Sequence, residues 1–186
     1  MQRPTVLPMA DHLAALPQLT LVLGGARSGK SAYAEGLVAA LPQPLYLATA
    51  EAGDGEMSAR IRTHQDRRGP AWTTVEEPLE LLAALDAHAR PGRAILVDCL
   101  TLWVSNLMLA EADLARAFDR LVDALPSLPG SVVFVANEVG LGIVPDNALA
   151  RAFRDHAGSL NQRIAARCQR VIFVAAGLPL LLKDFR

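Results

Sequence analysis

Residues Gly24-Gly25-Ala26-Arg27-Ser28-Gly29-Lys30-Ser31 carry the spacing G-x-x-x-x-G-K-[ST] of a nucleotide-phosphate loop. The apolar run Leu19 to Leu23 enters it, and Ala32-Tyr33-Ala34-Glu35 leaves it in helix formers. Such a strand–loop–helix setting brings backbone N–H groups onto phosphate oxygens, and the helix dipole favours their negative charge. In a loop of this kind the lysine, Lys30, reaches the β- and γ-phosphates, and the hydroxyl of Ser31 takes a place on Mg²⁺. The expected ligand is therefore a nucleoside triphosphate. Asp98 closes the apolar run Ala94-Ile95-Leu96-Val97 and is the expected second handle on Mg²⁺. Its alternative role is to cap the helix that starts near Thr101.

A second group of chemical residues lies between Glu56 and Arg68. On a helix Arg60 and His64 are four apart and share a face, with Arg67 and Arg68 a turn further. Guanidinium groups around an imidazole disfavour its charged form, which keeps it nucleophilic. The same arginines could neutralise a phosphoryl group attached to it. The spacing is equally that of a solvated basic helix with a passenger histidine. A third feature is the loop Glu138–Asp146, which contains glycines and a proline and follows a strand. It suits a wall over a bound ligand, with Glu138 either polarising an attacking hydroxyl or helping to hold the metal. His12, His88 and His156 read as surface or packing residues.

These residues need a scaffold, and the pattern supplies one. Strands are expected at 19–23, 44–48, 72–75, 94–97, 132–136 and 171–174, with 178–182 as one more. Helices are expected at 31–41, 56–68 (capped by Asp54), 78–89, 101–109, 112–125 and 147–168. Strands alternating with helices predict an α/β fold, a mostly parallel sheet covered by helices on both faces. Ligands of such sheets sit beyond the carboxyl ends of the strands, where the phosphate loop, Thr49, Asp98 and Asn137-Glu138 all fall. Residues 1–18, with three prolines and little pattern, read as an N-terminal extension to a single domain over 19–186.

A chain of 186 residues can bury a full core, and its net charge of −1 argues against nucleic acid or an anionic membrane as the main partner. Cys99 and Cys168 lie beside apolar stretches and read as small buried hydrophobes. No signal-peptide core or membrane-spanning run stands out, so a cytoplasmic location without membrane insertion is expected. Lysine occurs only at Lys30 and Lys183, against sixteen arginines. The guanine-reading N-K-x-D motif of regulatory GTPases is absent.

From residue 19 onward the chain resembles the bifunctional adenosylcobinamide kinase / adenosylcobinamide-phosphate guanylyltransferases of cobalamin biosynthesis. The resemblance is carried by Leu21 to Ser31, Tyr46-Leu47-Ala48-Thr49-Ala50, Glu56-Met57 with Arg60-Ile61 and His64, and Trp72 to Pro78. It continues through Asp98 to Trp103, Ser105-Asn106, Asn137 to Pro145, Arg151 to Asp155 and Asn161-Gln162. It implies a P-loop NTPase fold of RecA-like type and two reactions. One phosphorylates the aminopropanol hydroxyl of adenosylcobinamide from ATP or GTP. The other takes GMP from GTP onto a histidine and passes it to the new phosphate, giving adenosyl-GDP-cobinamide. Carried onto this chain, the histidine is His64, with Lys30 as the other catalytic group. The implied nucleotide contacts are Gly24, Gly25, Ala26, Arg27, Ser28, Gly29, Lys30 and Ser31, then Thr49, Ala50 and Glu51. They continue with Gln65, Asp66, Arg67, Arg68, Glu76 and Asp98, and Ser31 and Asp98 hold Mg²⁺. The family also implies a homo-oligomer, with a trimer as the candidate state. Two rival readings stay open at this point: a kinase of one reaction, in which His64 is idle, and a nucleotide-gated binding module.

Overall fold

Strands apolar at nearly every position must be covered on both sides, and their alternation sorts the side chains between two cores. The computed structural model describes residues 16–50 and 69–185. In it Leu19 and Leu21 of β1 (Leu19–Gly24), Ile95 and Val97 of β4 (Ala94–Asp98), and Val132, Phe134 and Ala136 of β5 (Ser131–Asn137) face one core. Their neighbours Val22, Ala94, Leu96, Val133 and Val135 face the other.

The first core is closed by α2 (Leu81–His88), α3 (Leu100–Leu109), α4 (Leu114–Ala124) and α5 (Ala148–Arg167). The second is closed by α1 (Lys30–Ala39) through Ala34, Leu37 and Val38. Side chains start three of these helices. Cys99 Sγ accepts from Leu102 N–H, Asp113 from Arg116 N–H, and Asn147 from Leu149 and Ala150 N–H. Both cysteines are free and buried, as their apolar surroundings suggest.

With β2 (Leu45–Ala48), β3 (Thr73–Glu76), β6 (Arg170–Ala175) and β7 (Leu178–Asp184), the sheet order is β3-β2-β4-β5-β1-β6-β7. Every pairing is parallel except β6 with β7. The extra strand expected at the C-terminus is thus a hairpin. Ala176 and Gly177 both have positive φ, at 51° and 77°. Those angles suit the two-residue turn that matches the twist of antiparallel strands.

Leu16 packs on the second core, and Gln18 donates to Leu128 O at 2.8 Å. The helix expected from Pro78 begins at Leu81, because Glu77 turns the chain first and accepts from Leu79 and Glu80 N–H. The helix expected at 56–68, with its cap Asp54, lies outside the described residues. Among the described residues no helix is long and apolar enough to cross a membrane.

Candidate active site: a phosphate loop at the carboxyl edge of the sheet

Five parallel strands end side by side. Ala48 is in register with both Glu76 and Asp98, Asp98 with Val135, and Gly24 with Asn137. From Glu76 to the phosphate loop this edge is about 19 Å long at ordinary strand spacing. Because β5 lies between β1 and β4, the loop and Asp98 flank the Asn137-Glu138 end.

The phosphate loop leaves β1 at Gly24, where only glycine fits. A Cβ there would lie 2.5 Å from Ser28 Oγ and 2.5 Å from the carbonyl oxygen of Val174. Gly29 has φ +94°, a left-handed conformation, and precedes α1 directly. The β6–β7 turn supports the loop from outside it: Gly177 N–H donates to Ser28 O at 2.8 Å. Lys30 is buried at the start of α1 and reaches back to donate to Gly25 O at 3.1 Å. Burial holds its pKa below the ordinary lysine value, and Asp98 partly offsets this. The Lys30 ammonium is therefore desolvated and already close to the loop backbone that would surround a phosphate. Ser28 Oγ is buried and has no hydrogen-bond partner among the described residues.

Asp98 is positioned by β2. Tyr46 O–H donates to its Oδ2 at 3.1 Å, and Cys99 rather than Asp98 caps α3, which removes the capping alternative. The Cys99 thiol, pushed up to about 11 by burial and then by Asp98, stays protonated at neutral pH. Thr49 ties the edge together. Its hydroxyl accepts from Cys99 N–H at 2.8 Å and donates to Cys99 O at 2.7 Å, and its carbonyl accepts from Asn106 Nδ2 at 2.7 Å. Buried and engaged in this way, the Thr49 hydroxyl joins the ends of β2 and β4. Ala50 follows at the surface of this edge, and Glu76 is exposed at the end of β3.

Glu138 N–H donates to Gly24 O at 3.1 Å, which fixes the start of the 138–146 loop beside the phosphate loop. Its carboxylate turns back to accept from Gly140 N–H at 2.5 Å. Asn137 is held by Thr101 Oγ1, which accepts from its N–H, and by Asn161, which donates to its carbonyl. Tyr46, Thr101, Asn106 and Asn161 lie in the segments that carry the family resemblance, but sequence reasoning assigned them no role in the site. Polar side chains inside apolar helices, as at Asn106 and Asn161, were the signal available. The sequence-expected residues Glu51, His64, Gln65, Asp66, Arg67 and Arg68, with Arg60, lie outside the described residues.

The donor set suits Mg²⁺, which takes oxygen ligands, commonly one or two from the protein and the rest from phosphates and water. Ser31 and Asp98 supply hydroxyl and carboxylate oxygen. Among the described residues no cluster of three or more histidine, cysteine or acidic side chains forms an all-protein metal cage.

Residues 20–182 match the family model of cobinamide kinase / cobinamide phosphate guanyltransferase. The chain belongs to that family. It is 52% identical over 166 residues to the bifunctional adenosylcobalamin biosynthesis protein CobP of Pseudomonas aeruginosa, covering 88% of this chain and 96% of that one. It is 44% identical over 180 residues to the bifunctional adenosylcobalamin biosynthesis protein CobU of Salmonella typhimurium, covering 89% and 99%. Among solved structures, the flagellar accessory protein FlaH of Methanocaldococcus jannaschii superposes with a TM-score of 0.53 at 13% identity, over 95% of this chain and 84% of FlaH. An ATPase of a bacterial type III secretion system gives the same TM-score at 11% identity, over 88% of this chain and 53% of the ATPase. These likenesses bear on fold alone. This member of the cobinamide kinase / cobinamide phosphate guanyltransferase family is an α/β enzyme of the RecA-like P-loop type.

Proposed function

We propose that the chain phosphorylates adenosylcobinamide and then caps the product with GMP, using one carboxyl edge for both nucleotide reactions. The observation that carries this reading is the buried, desolvated Lys30 inside a formed phosphate loop with Asp98 nearby, in a chain of this family. In the first reaction the aminopropanol hydroxyl oxygen attacks the γ-phosphorus of ATP or GTP. The bond to the β–γ bridging oxygen breaks, the nucleoside diphosphate leaves, and the hydroxyl proton passes to a base. Lys30 and the loop N–H groups hold the phosphates and meet the charge that gathers on them. Ser31 and Asp98 would hold Mg²⁺, which when bound neutralises phosphate charge. In this reading the Glu138 carboxylate, once released from Gly140 N–H, takes the hydroxyl proton.

In the second reaction a nitrogen of His64 attacks the α-phosphorus of GTP and pyrophosphate leaves. A phosphate oxygen of adenosylcobinamide phosphate then displaces the histidine, giving adenosyl-GDP-cobinamide. Arg60, Arg67 and Arg68 would neutralise the bound phosphoryl group. Glu51, Gln65, Asp66 and Glu76 are further nucleotide contacts in this reading. The enzyme is taken to act in the cytoplasm as a homo-oligomer, with three subunits as the expected state.

The test is incubation with adenosylcobinamide, ATP and GTP, with products read by mass, beside labelling with α-labelled GTP. Label on denatured protein should be lost in acid and kept in base, as for a phosphoramidate. His64→Ala should lose the label and keep at least part of the kinase reaction. Uptake of label by His64→Ala, or label that survives acid, would remove the histidine route.

A further inference from the structure

We infer that the loop 138–146 is the docking wall for the corrinoid acceptor, with Leu141, Ile143 and Val144 against an apolar face of its macrocycle. This rests on the function proposed above and assigns a place to its bulkiest substrate.

Leu141, Ile143 and Val144 are 82%, 97% and 60% exposed, and Leu149 at the start of α5 is 61% exposed. Aliphatic side chains grouped in this way on a soluble domain mark a surface that meets something apolar. The loop is also built rather than slack. Its first end is fixed by Glu138 N–H on Gly24 O and by Gly140 N–H on the Glu138 carboxylate. Its second end is fixed by Arg151, which donates to Pro145 O at 2.8 Å and to Asp146 O at 2.7 Å, and by the Asn147 cap of α5. Between these anchors the apolar crest stands out into solvent.

Its position selects the occupant. The loop rises from β5, between the phosphate loop on β1 and Asp98 on β4. An acceptor hydroxyl must approach the terminal phosphate from outside the loop that holds it. The body of the acceptor therefore lies over this part of the edge. A nucleotide is polar and is served by the N–H groups, Lys30 and carboxylates already described. A corrin macrocycle instead presents broad methyl-bearing faces with amides at its rim. Of the other exposed aliphatics among the described residues, Leu178 and Leu182 lie on the outermost strand β7, and Leu109 is the last residue of α3.

The experiment compares the full-length protein with the double variant Leu141→Ser/Ile143→Ser and with Val144→Ser. Adenosylcobinamide binding is read by equilibrium dialysis from corrinoid absorbance, with and without a non-hydrolysable ATP analogue. GTP affinity, thermal melting and mass by light scattering are measured on the same samples. The double variant should bind adenosylcobinamide at least tenfold more weakly, and Val144→Ser a few-fold more weakly, with GTP affinity and mass held. Equal corrinoid affinity in wild type and double variant would overturn the loop assignment and leave the proposed function standing. A fall in mass with both affinities lost together would make the loop a contact between copies of this chain, and would also overturn it. Wild-type protein that binds no adenosylcobinamide would sink the proposed function itself.

Discussion

Replacing Lys30 with methionine separates what this side chain does for the fold from what it does for the phosphate. Lys30 is buried, donates a hydrogen bond to Gly25 O, and has its charged form disfavoured by burial. Methionine has similar length, loses that bond and removes the desolvated charge. A charged donor to a carbonyl contributes about 1.5–3 kcal/mol, and the relief of desolvation opposes it, so net stability should move by no more than about 1–2 kcal/mol. Removing a preorganised donor from a transferring phosphate typically costs about 2.7–4 kcal/mol, or roughly 10²–10³ in rate. Both transfer reactions should therefore fall by at least that factor while the melting temperature changes by a few degrees. The pH dependence gives an independent check. With its folded pKa depressed, Lys30 binds fewer protons folded than unfolded between that value and 10.5, so its contribution rises with pH across the window. The cysteines, whose pKa values are raised to about 11 and about 12, act in the opposite sense. The difference between wild type and Lys30→Met isolates the lysine: wild type should gain stability relative to the variant as pH climbs toward 10.5. Denaturant unfolding across that range, beside turnover assays, measures both. A variant that keeps near-normal transfer, or whose stability tracks wild type at every pH, would refute the reasoning.

Gly24→Ala puts a methyl 2.5 Å from a backbone carbonyl of β6, an overpacking that should cost about 1–3 kcal/mol and weaken GTP binding, read by thermal melts with and without GTP. Tyr46→Phe keeps the edge-to-face contact with Trp72 and removes the donor to Asp98. The loss of about 1.4 kcal/mol should raise the Mg²⁺ needed for half-maximal turnover roughly tenfold, and a Mn²⁺ titration followed by EPR should show the same shift. Thr49→Val strands the buried N–H of Cys99 and should destabilise the protein by about 1–3 kcal/mol in urea melts.

The phosphate loop, the strand ends and the layering were legible because each is a local pattern. A glycine spacing, an apolar run closed by Asp98, or a helix period needs only neighbours in sequence. The contacts that position the site join distant residues, Tyr46 to Asp98, Thr49 to Cys99 and Asn106 to Thr49. They depend on β2 lying next to β4, an order that alternation alone does not specify. The direction of the last strand was equally open, since Leu178 to Leu182 is apolar whichever way it runs. Leu16 and Gln18 lay hidden among prolines, because a few packing residues carry no period.

The support that Gly177 gives to Ser28 has a consequence for biosynthesis. The phosphate-loop residues are translated well before the turn that braces them and the β6 strand beside β1. A nascent chain still holding its C-terminal hairpin in the ribosome has the loop sequence without its outer brace or one of its two flanking strands. Nucleotide binding is therefore expected only once the β6–β7 hairpin has been made, and truncation within that hairpin should abolish binding at a loop some 150 residues away in the chain.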